Sequence, residues 1–141
     1  MSELDKCIER GSLKRFHDVG TDAVGVELRA AREDLADAEF VFEHDRPKRT
    51  TVTAYYAMFH AARALVLARG YAEKSHHCLL VAFRAFYGDE GEGLELARGI
   101  ERARVLRENA DYLADFSMDS AEAALEVARR FIRFAETTLE P

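Results

Sequence analysis

The sequence predicts an all-α protein, an antiparallel up-and-down bundle of four long helices with one short extra helix. Apolar residues recur at spacings of three and four along most of the chain, the pattern of helices that bury one face. Alternating strand patterns, hairpin signals and internal repeats are not evident. The 141 residues, 48% of them hydrophobic and only two of them proline, suit one compact helical domain.

Residues 1–20 form a polar lead-in, and the bundle is predicted to occupy residues 21–141. A short helix is expected in the lead-in near Glu3–Arg10. The N-terminal segment lacks the apolar central run of a secretion signal, and no window approaches the roughly 20 apolar residues that cross a bilayer. Cys7 and Cys78 alone make no disulfide framework and give no sign of an oxidising compartment. We therefore expect a cytoplasmic protein with no membrane contact.

The first long helix is predicted to begin at Thr21 or Asp22, either of which can cap it, and to break before Pro47. Its apolar stripe consists of Val24, Leu28, Ala31, Leu35, Ala38 and Phe42. The second helix is predicted to take Pro47 or Thr50 into its first turn and to end at Gly70, a residue suited to a helix C-terminus. Its stripe consists of Val52, Tyr55, Phe59, Ala62 and Val66.

A shorter third helix follows, with Ser75 as its predicted N-terminal cap. Its apolar residues are Leu79, Leu80, Phe83 and Phe86. A loop rich in glycine and acidic residues then leads into a fourth helix, predicted from about Leu94 to Leu113. The last helix is predicted to start at Ser117 or Asp119. Its stripe consists of Ala121, Ala124, Ala128, Phe131 and Ala135.

The net charge of −6 and the pI of about 5.4 argue against a general nucleic-acid coat protein. Positive charge is nevertheless concentrated in two places, the run Arg46–Arg49 and the fourth helix. The arginines of that helix are Arg98, Arg102, Arg104 and Arg107. Such clusters can hold phosphate locally. The alternative is that these arginines are solvated and paired with neighbouring glutamates.

Large polar side chains interrupt the otherwise apolar second helix at Tyr55, Tyr56, His60 and Arg63. Burying such groups is costly unless they find partners, so they either solve a packing problem or serve a site. Tyr56, His60 and Arg63 step by four and three residues and share one face, rotated from the apolar stripe. A face of this mixed polarity suits an interface between two copies of the chain. We therefore expect a homodimer.

The stretch TAYYAMFHAARALVLARGYAEKSHHC, Thr53 to Cys78, resembles the core of a HEPN domain. Members of that family carry a similar YYAMFHAARAL helix followed by GY-x-x-KSH. Cys7, Glu9–Gly11 and Leu13 are similar to a lead-in of some archaeal and bacterial members. The segment from Leu106 to Tyr112 stands where the family keeps its arginine motif. The resemblance implies a helical bundle whose site lies in a cleft between two protomers.

HEPN domains that cleave RNA carry a histidine after the motif arginine, with four to six residues between the two. In this chain Tyr112 stands at the shortest of those spacings, and no histidine follows Arg107. Phosphate binding and charge stabilisation by Arg107 remain available, whereas the acid–base part of the mechanism lacks its usual residue.

Five positions along a regular helix leave Arg107 and Tyr112 roughly 140° apart. The two side chains converge on one ligand only if the helix ends near Asp111 or a second protomer contributes. The alternative is an ion pair between Arg107 and Asp111, with Tyr112 packed on the bundle.

His60 is the predicted replacement for the missing histidine, because an imidazole has an ordinary pKa near 6.5 and can carry a proton. The alternative is a core histidine with one satisfied hydrogen bond. The predicted catalytic residues are thus Arg107, Tyr112 and His60. The predicted phosphate or nucleotide ligands are Arg104, Lys74, His76, Asp111 and Tyr56.

The run Lys74–His76 matches the KSH of the family, but helix capping alone explains Ser75. The adjacent His76, His77 and Cys78 do not suggest a metal site, since neighbours on a helix point about 100° apart and zinc sites use spaced ligands. We expect no metal. Glycine-rich phosphate loops and other cofactor motifs are not evident, so no cofactor is expected either.

Three functions are compatible with these features. The resemblance implies a toxin-type component of a toxin–antitoxin or defence pair, acting as a metal-independent ribonuclease through Arg107. It also implies a partner, a small MNT-type nucleotidyltransferase, which masks the chain or nucleotidylates Tyr112. The second function is a non-catalytic module that binds a nucleotide or RNA phosphate. The third is a dimeric scaffold that docks the nucleotidyltransferase.

Overall fold

The structure, a computed structural model, describes residues 1–16, 21–109 and 116–140. Its elements, in chain order, are α1 (Glu3–Glu9), β1 (Leu13–Arg15), α2 (Thr21–Glu43), α3 (Pro47–Ala68), β2 (Tyr71–Glu73), α4 (His76–Tyr87), α5 (Gly91–Glu108) and α6 (Met118–Leu139). The long helices α2, α3, α5 and α6 pack together with the shorter α4. This arrangement confirms the predicted all-α bundle. Within the described ranges, no helix is long and apolar enough to span a membrane.

Helix α3 lies at the centre of the bundle, where it contacts α2, α4, α5 and α6. Most of its interior positions are buried, and many of them are alanines, whose small side chains let neighbouring helices approach closely. Pro47 occupies its first turn, as predicted. The helix ends before Gly70, which adopts a φ of +88° and turns the chain into β2.

The apolar stripes predicted for the outer helices face the core. In α2, Leu28, Ala31 and Ala38 are buried, and the helix ends at Glu43 as the pattern predicts. The Ser117 side chain accepts a hydrogen bond from the Ser120 N–H and caps α6. The five predicted stripe residues of α6 are all buried.

Helix α5 is shifted from its predicted bounds. It begins at Gly91 rather than Leu94 and ends at Glu108, before the predicted Leu113, which lies outside the described residues. A Cβ at Gly93 would overlap the Tyr87 carbonyl oxygen. The glycine-rich composition that predicted a loop instead permits the close approach of α5 to the end of α4.

Gly93→Ala is therefore expected to destabilise the protein by about 2–3 kcal/mol, because the clash is with backbone atoms that cannot rotate away. Gly25→Ala is the matched control. A Cβ at Gly25, inside α2, meets open space, so that change should be neutral or stabilising by up to about 1 kcal/mol. Urea unfolding of both variants measures the difference, and equal stabilities would contradict the packing described for Gly93.

One small element of secondary structure was not predicted. Strands β1 and β2 form a two-stranded antiparallel ribbon in which Leu13 pairs with Glu73, Lys14 with Ala72 and Arg15 with Tyr71. Three residues per strand are too few to display an alternating pattern. The partners also lie far apart in the sequence, so no hairpin signal exists to reveal them.

The lead-in is more closely integrated than its polar sequence suggests. Helix α1 forms where a short helix is expected, with Ser2 as its cap, and both Cys7 and Leu13 are buried in the core. Cys7 and Cys78 form a disulfide. The sequence did not predict this bond, because a single cysteine pair carries no spacing pattern and only the ribbon brings α1 beside α4.

Candidate functional site

Arg107 lies in the last turn of α5 and packs against two tyrosines of α3. Its Cζ atom is 5.1 Å from the centroid of the Tyr55 ring and 5.7 Å from that of Tyr56. Its Nη1 donates a hydrogen bond of 3.1 Å to the Tyr56 hydroxyl. These cation–π and hydrogen-bond contacts fix the direction of the guanidinium group, while a quarter of the side chain stays exposed to solvent.

The Nε atom of Arg107 is buried and has no hydrogen-bond partner among the described residues. Leaving a buried donor unpaired is unfavourable by roughly 1–3 kcal/mol, more when the group is charged. A guanidinium presents its N–H groups in a planar fork that matches the oxygens of a phosphate or carboxylate. The Nη2 atom of Arg107 lies 3.9 Å from Glu108 Oε1. An anion at the exposed edge of Arg107 would therefore replace this carboxylate at the guanidinium, while the buried Nε stays unpaired among the described residues.

His76, the first residue of α4, contacts Tyr55, one of these two tyrosines. Its position follows from the Ser75 cap, whose Oγ accepts a hydrogen bond from the Cys78 N–H at 3.1 Å. The His76 Nδ1 lies 2.7 Å from the Tyr55 hydroxyl, and its ring packs on Phe59 with centroids 4.5 Å apart. Tyr55 thus touches Arg107 with its ring face and His76 with its hydroxyl.

Burial lowers the pKa of His76, and the guanidinium groups of Arg107 and Arg104 lower it further. The imidazole is therefore neutral near pH 7 and can accept a proton. Burial also raises the pKa of Tyr55 to about 12, so its hydroxyl stays protonated. We refer to Arg107, Tyr55, Tyr56 and His76 as the Arg107 cluster.

The structure thus places three predicted site residues together, Arg107, Tyr56 and His76. Tyr55 was assigned to the apolar stripe of α3 and not to the site. It is fully buried, as the stripe implies, but its hydroxyl reaches His76. Its hydroxyl group could have identified it from the sequence, because a hydroxyl in a buried apolar stripe needs a hydrogen-bond partner from another element.

Arg104 stands one turn before Arg107 and pairs with Glu108, with 3.0 Å between Arg104 Nε and Glu108 Oε1. This is the predicted alternative of an arginine paired with a neighbouring glutamate. Arg104 nevertheless acts on the pKa of His76 by its charge. Asp111 and Tyr112 lie outside the described residues, so their assigned roles remain predictions.

His60 belongs to a different group of charges. Its Nδ1 is 2.6 Å from Glu27 Oε2, and its Nε2 is 3.6 Å from Asp34 Oδ2. The hydrogen bond to Glu27 raises the pKa of His60. Arg63 extends the group by pairing with Glu27 and with Glu73 of β2. Because both ring nitrogens face carboxylates of α2, the described contacts make His60 a tie between α2 and α3.

The contacts of His60 with Glu27 and Asp34 predict that the free energy of unfolding depends on pH. The folded-state pKa of His60 is raised, so its stabilisation is complete below the unfolded-state pKa near 6.5 and is lost as the pH rises through the folded-state pKa. Glu27→Gln should therefore destabilise the protein more at pH 6 than at pH 9, by on the order of 1–2 kcal/mol. Glu33→Gln, on the exposed side of α2, is the control for urea unfolding at both pH values. An equal loss at the two pH values would contradict the tie.

The remaining predicted ligand, Lys74, directly follows β2 of the ribbon. The adjacent ammonium group of Lys14 lowers the pKa of Lys74. The neighbours of His76 also point to separate partners. His77 Nε2 lies 3.7 Å from Glu3 Oε2, and Cys78 is bonded to Cys7. The three consecutive side chains at the start of α4 therefore diverge.

Comparison with known proteins agrees with this architecture. The HEPN domain family model matches residues 26–138. The chain is 32% identical over 107 residues to a Methanocaldococcus jannaschii protein named "Putative toxin", covering 74% of this chain and 80% of that protein. It is also 32% identical over 120 residues to a UPF0332 protein of Archaeoglobus fulgidus, covering 84% of this chain and 96% of the relative.

A UPF0332 protein of Thermotoga maritima is 30% identical over 115 residues, covering 79% of this chain and 87% of the relative. The family model spans all the long helices except the first five residues of α2 and the last residue of α6, and it includes the whole Arg107 cluster. The resemblance found in the sequence is thus confirmed. The chain belongs to the HEPN domain family.

Proposed function

We propose that this chain is a toxin-type HEPN protein that binds RNA phosphate through Arg107 and cleaves RNA without a metal ion, with His76 as the acid–base group. One observation carries the proposal. Tyr55 contacts both Arg107 and the neutral imidazole of His76, residues that lie on different helices and far apart in the sequence. The name of the Methanocaldococcus jannaschii relative supports the toxin role.

The chemistry follows from these groups. Neutral His76 accepts the proton of the ribose 2′-hydroxyl, whose oxygen then attacks the phosphorus. Arg107 stabilises the negative charge that develops on the phosphoryl oxygens. The bond to the 5′-oxygen breaks, and that oxygen takes up a proton as it leaves. The products are a 2′,3′-cyclic phosphate and a free 5′-hydroxyl.

A second protomer supplies the proton for the leaving oxygen in this proposal. Support comes from the exposed quarter of the Arg107 side chain, which leaves its guanidinium open to a second copy of the chain. Two copies that face each other at this edge would bring two Arg107 clusters to one cleft. The cytoplasmic partner we propose is an MNT-type nucleotidyltransferase that masks this cleft or nucleotidylates Tyr112.

A second candidate function is a binding module without turnover, or a scaffold for that partner. The observation in its favour is that the described part of one protomer brings a single imidazole to the Arg107 cluster, whereas cleavage needs both a base and an acid. Such a module would bind single-stranded RNA with an affinity that falls as salt rises, because phosphate contacts release counterions.

The test is incubation of the purified chain with a defined single-stranded RNA in the presence of EDTA. The proposal predicts fragments that end in 2′,3′-cyclic phosphates, identified by mass spectrometry. Salt-dependent binding with intact RNA would select the binding module. Intact RNA together with no detectable binding would overturn both the nuclease and the binding module and would leave the scaffold that docks the partner.

A further inference from the structure

The segment that carries His76 is held on both sides by the first residues of the chain. We call residues 2–15, which comprise α1 and β1, the N-terminal arm. On one side, β1 pairs with β2, and the Lys74 N–H donates a 2.9 Å hydrogen bond to the Ser12 carbonyl oxygen. On the other side, Cys7 of α1 is bonded to Cys78, two residues after His76. The arm therefore clamps the 71–78 segment by a ribbon and one covalent bond.

The surroundings of the two sulfur atoms favour reversible chemistry. Both cysteines are fully buried, and their Cα atoms are 5.8 Å apart, a separation that a disulfide spans without moving the backbone. The guanidinium of Arg10 covers the pair, with Nη2 3.1 Å from Cys78 Sγ and 3.6 Å from Cys7 Sγ. A cation in this position stabilises a thiolate, more strongly on Cys78 than on Cys7.

We infer that Cys7 and Cys78 form a redox-modification site for low-molecular-weight thiols of the glutathione class. Its oxidation state sets how firmly the arm holds His76 in the Arg107 cluster. In the disulfide form the start of α4 is tied to α1. In the dithiol form only the short ribbon and noncovalent packing remain.

The exchange proceeds in two balanced steps. A glutathione thiolate attacks the Cys7 sulfur, the protein disulfide breaks, and Cys78 leaves as a thiolate beside Arg10. A second glutathione thiolate then attacks the mixed disulfide, forming glutathione disulfide and releasing Cys7. Two protons lost by the small thiols are taken up by the two cysteines. Glutathione disulfide drives the same steps in reverse.

Access to the buried sulfurs requires the arm to lift. Helix α1 has only seven residues, and its main contacts are with α4 and β1. A short terminal helix with so few neighbours opens at a lower free energy than the bundle unfolds. Exchange is therefore expected to be slow but complete under native conditions.

The first experiment compares the chain equilibrated with glutathione disulfide and with dithiothreitol, followed by alkylation and intact-mass measurement. Two alkylated cysteines are expected only after reduction. The oxidised form should melt higher by on the order of 10 °C. Amide hydrogens of β2 and the first turn of α4 should exchange at least tenfold faster in the reduced form, whereas those of α6 keep their rate.

The Cys7→Ser/Cys78→Ser double variant is the control and should behave as the reduced chain under both conditions. Reduced wild-type protein gives the same comparison if the variant does not fold. Equal melting temperatures and equal rates of amide hydrogen exchange in the two redox states would overturn the inference. Cysteines that still react with the alkylating reagent after equilibration with glutathione disulfide would also overturn it.

Arg10→Met tests the leaving-group assignment, with Lys6→Met on the same helix as its control. Reduction by glutathione should slow several-fold in Arg10→Met and not in Lys6→Met. In the Cys78→Ser variant, the Cys7 thiolate should attack glutathione disulfide, forming a mixed disulfide on Cys7 and releasing one glutathione thiolate. Equal reduction rates in both methionine variants would refute the role of Arg10. None of these measurements uses RNA, so their failure is distinguishable from failure of the proposed function.

Discussion

Arg107→Ala is expected to reduce RNA cleavage by a factor on the order of 10²–10³ while the protein stays folded, the usual effect of removing one donor to a developing charge. The guanidinium rests on Tyr55 and Tyr56 and leaves its Nε without a partner among the described residues. In the proposed mechanism, its removal takes away the contacts to the RNA phosphate together with the packing on the two tyrosines. The measurement is the initial rate of cleavage of a labelled single-stranded RNA.

The matched control is Arg102→Ala, five residues earlier on the same helix, where the side chain is exposed. This variant removes the same charge and should cleave at nearly the wild-type rate. Arg107→Lys should retain binding but cleave more slowly than wild type, because an ammonium group lacks the planar fork of donors. A folded Arg107→Ala protein with the wild-type rate would refute the assignment of Arg107.

His76→Ala is expected to reduce cleavage by on the order of 10²–10⁴ through loss of the acid–base group. His60→Ala should instead keep the rate of the folded protein and lower its stability, because its imidazole is tied to Glu27 and Asp34. The two histidine variants are controls for one another. Loss of cleavage in His60→Ala with normal activity in His76→Ala would reverse the assignment.

The pH dependence of cleavage is a second test of the assignment of His76 as the acid–base group. Because burial and the nearby arginines lower the pKa of His76, its neutral base form persists below pH 6.5. The rate should fall only when the pH drops below that lowered pKa. His76 can accept a proton at Nε2 only if its Nδ1–H donates to the Tyr55 hydroxyl oxygen. That bond favours the imidazolium, so Tyr55→Phe should move this fall to lower pH. An unchanged profile would mean that His76 does not carry the proton.

The fold could be predicted from the sequence because each long helix carries its own evidence. The stripe of α6, for example, depends only on the spacing of its alanines and Phe131, and all its members are buried. No comparable pattern in the sequence indicates the ribbon or the Cys7–Cys78 bond. Both depend on pairing between distant segments, which periodicity along one helix cannot reveal.

The candidate site, like the fold, was predictable only where the evidence lies within one segment of the sequence. Arg107 was identified from the family motif, and Tyr56 from its position on a mixed face of α3. Periodicity placed His60 on that face too, but it could not show that α2 brings Glu27 opposite it. Conversely, His76 was expected to bind phosphate, and only the packing of α4 on α3 places its ring against the Tyr55 hydroxyl.

The most direct test of the account is a double-mutant cycle for RNA cleavage with Arg107→Ala, His76→Ala and the variant that carries both changes. If the two residues act on one phosphate as a unit, the double variant should be no more than about threefold slower than the slower single variant. Losses that multiply, so that the double variant shows the product of the two single effects, would mean that Arg107 and His76 act independently. That result would contradict a single site built on Tyr55 and Tyr56.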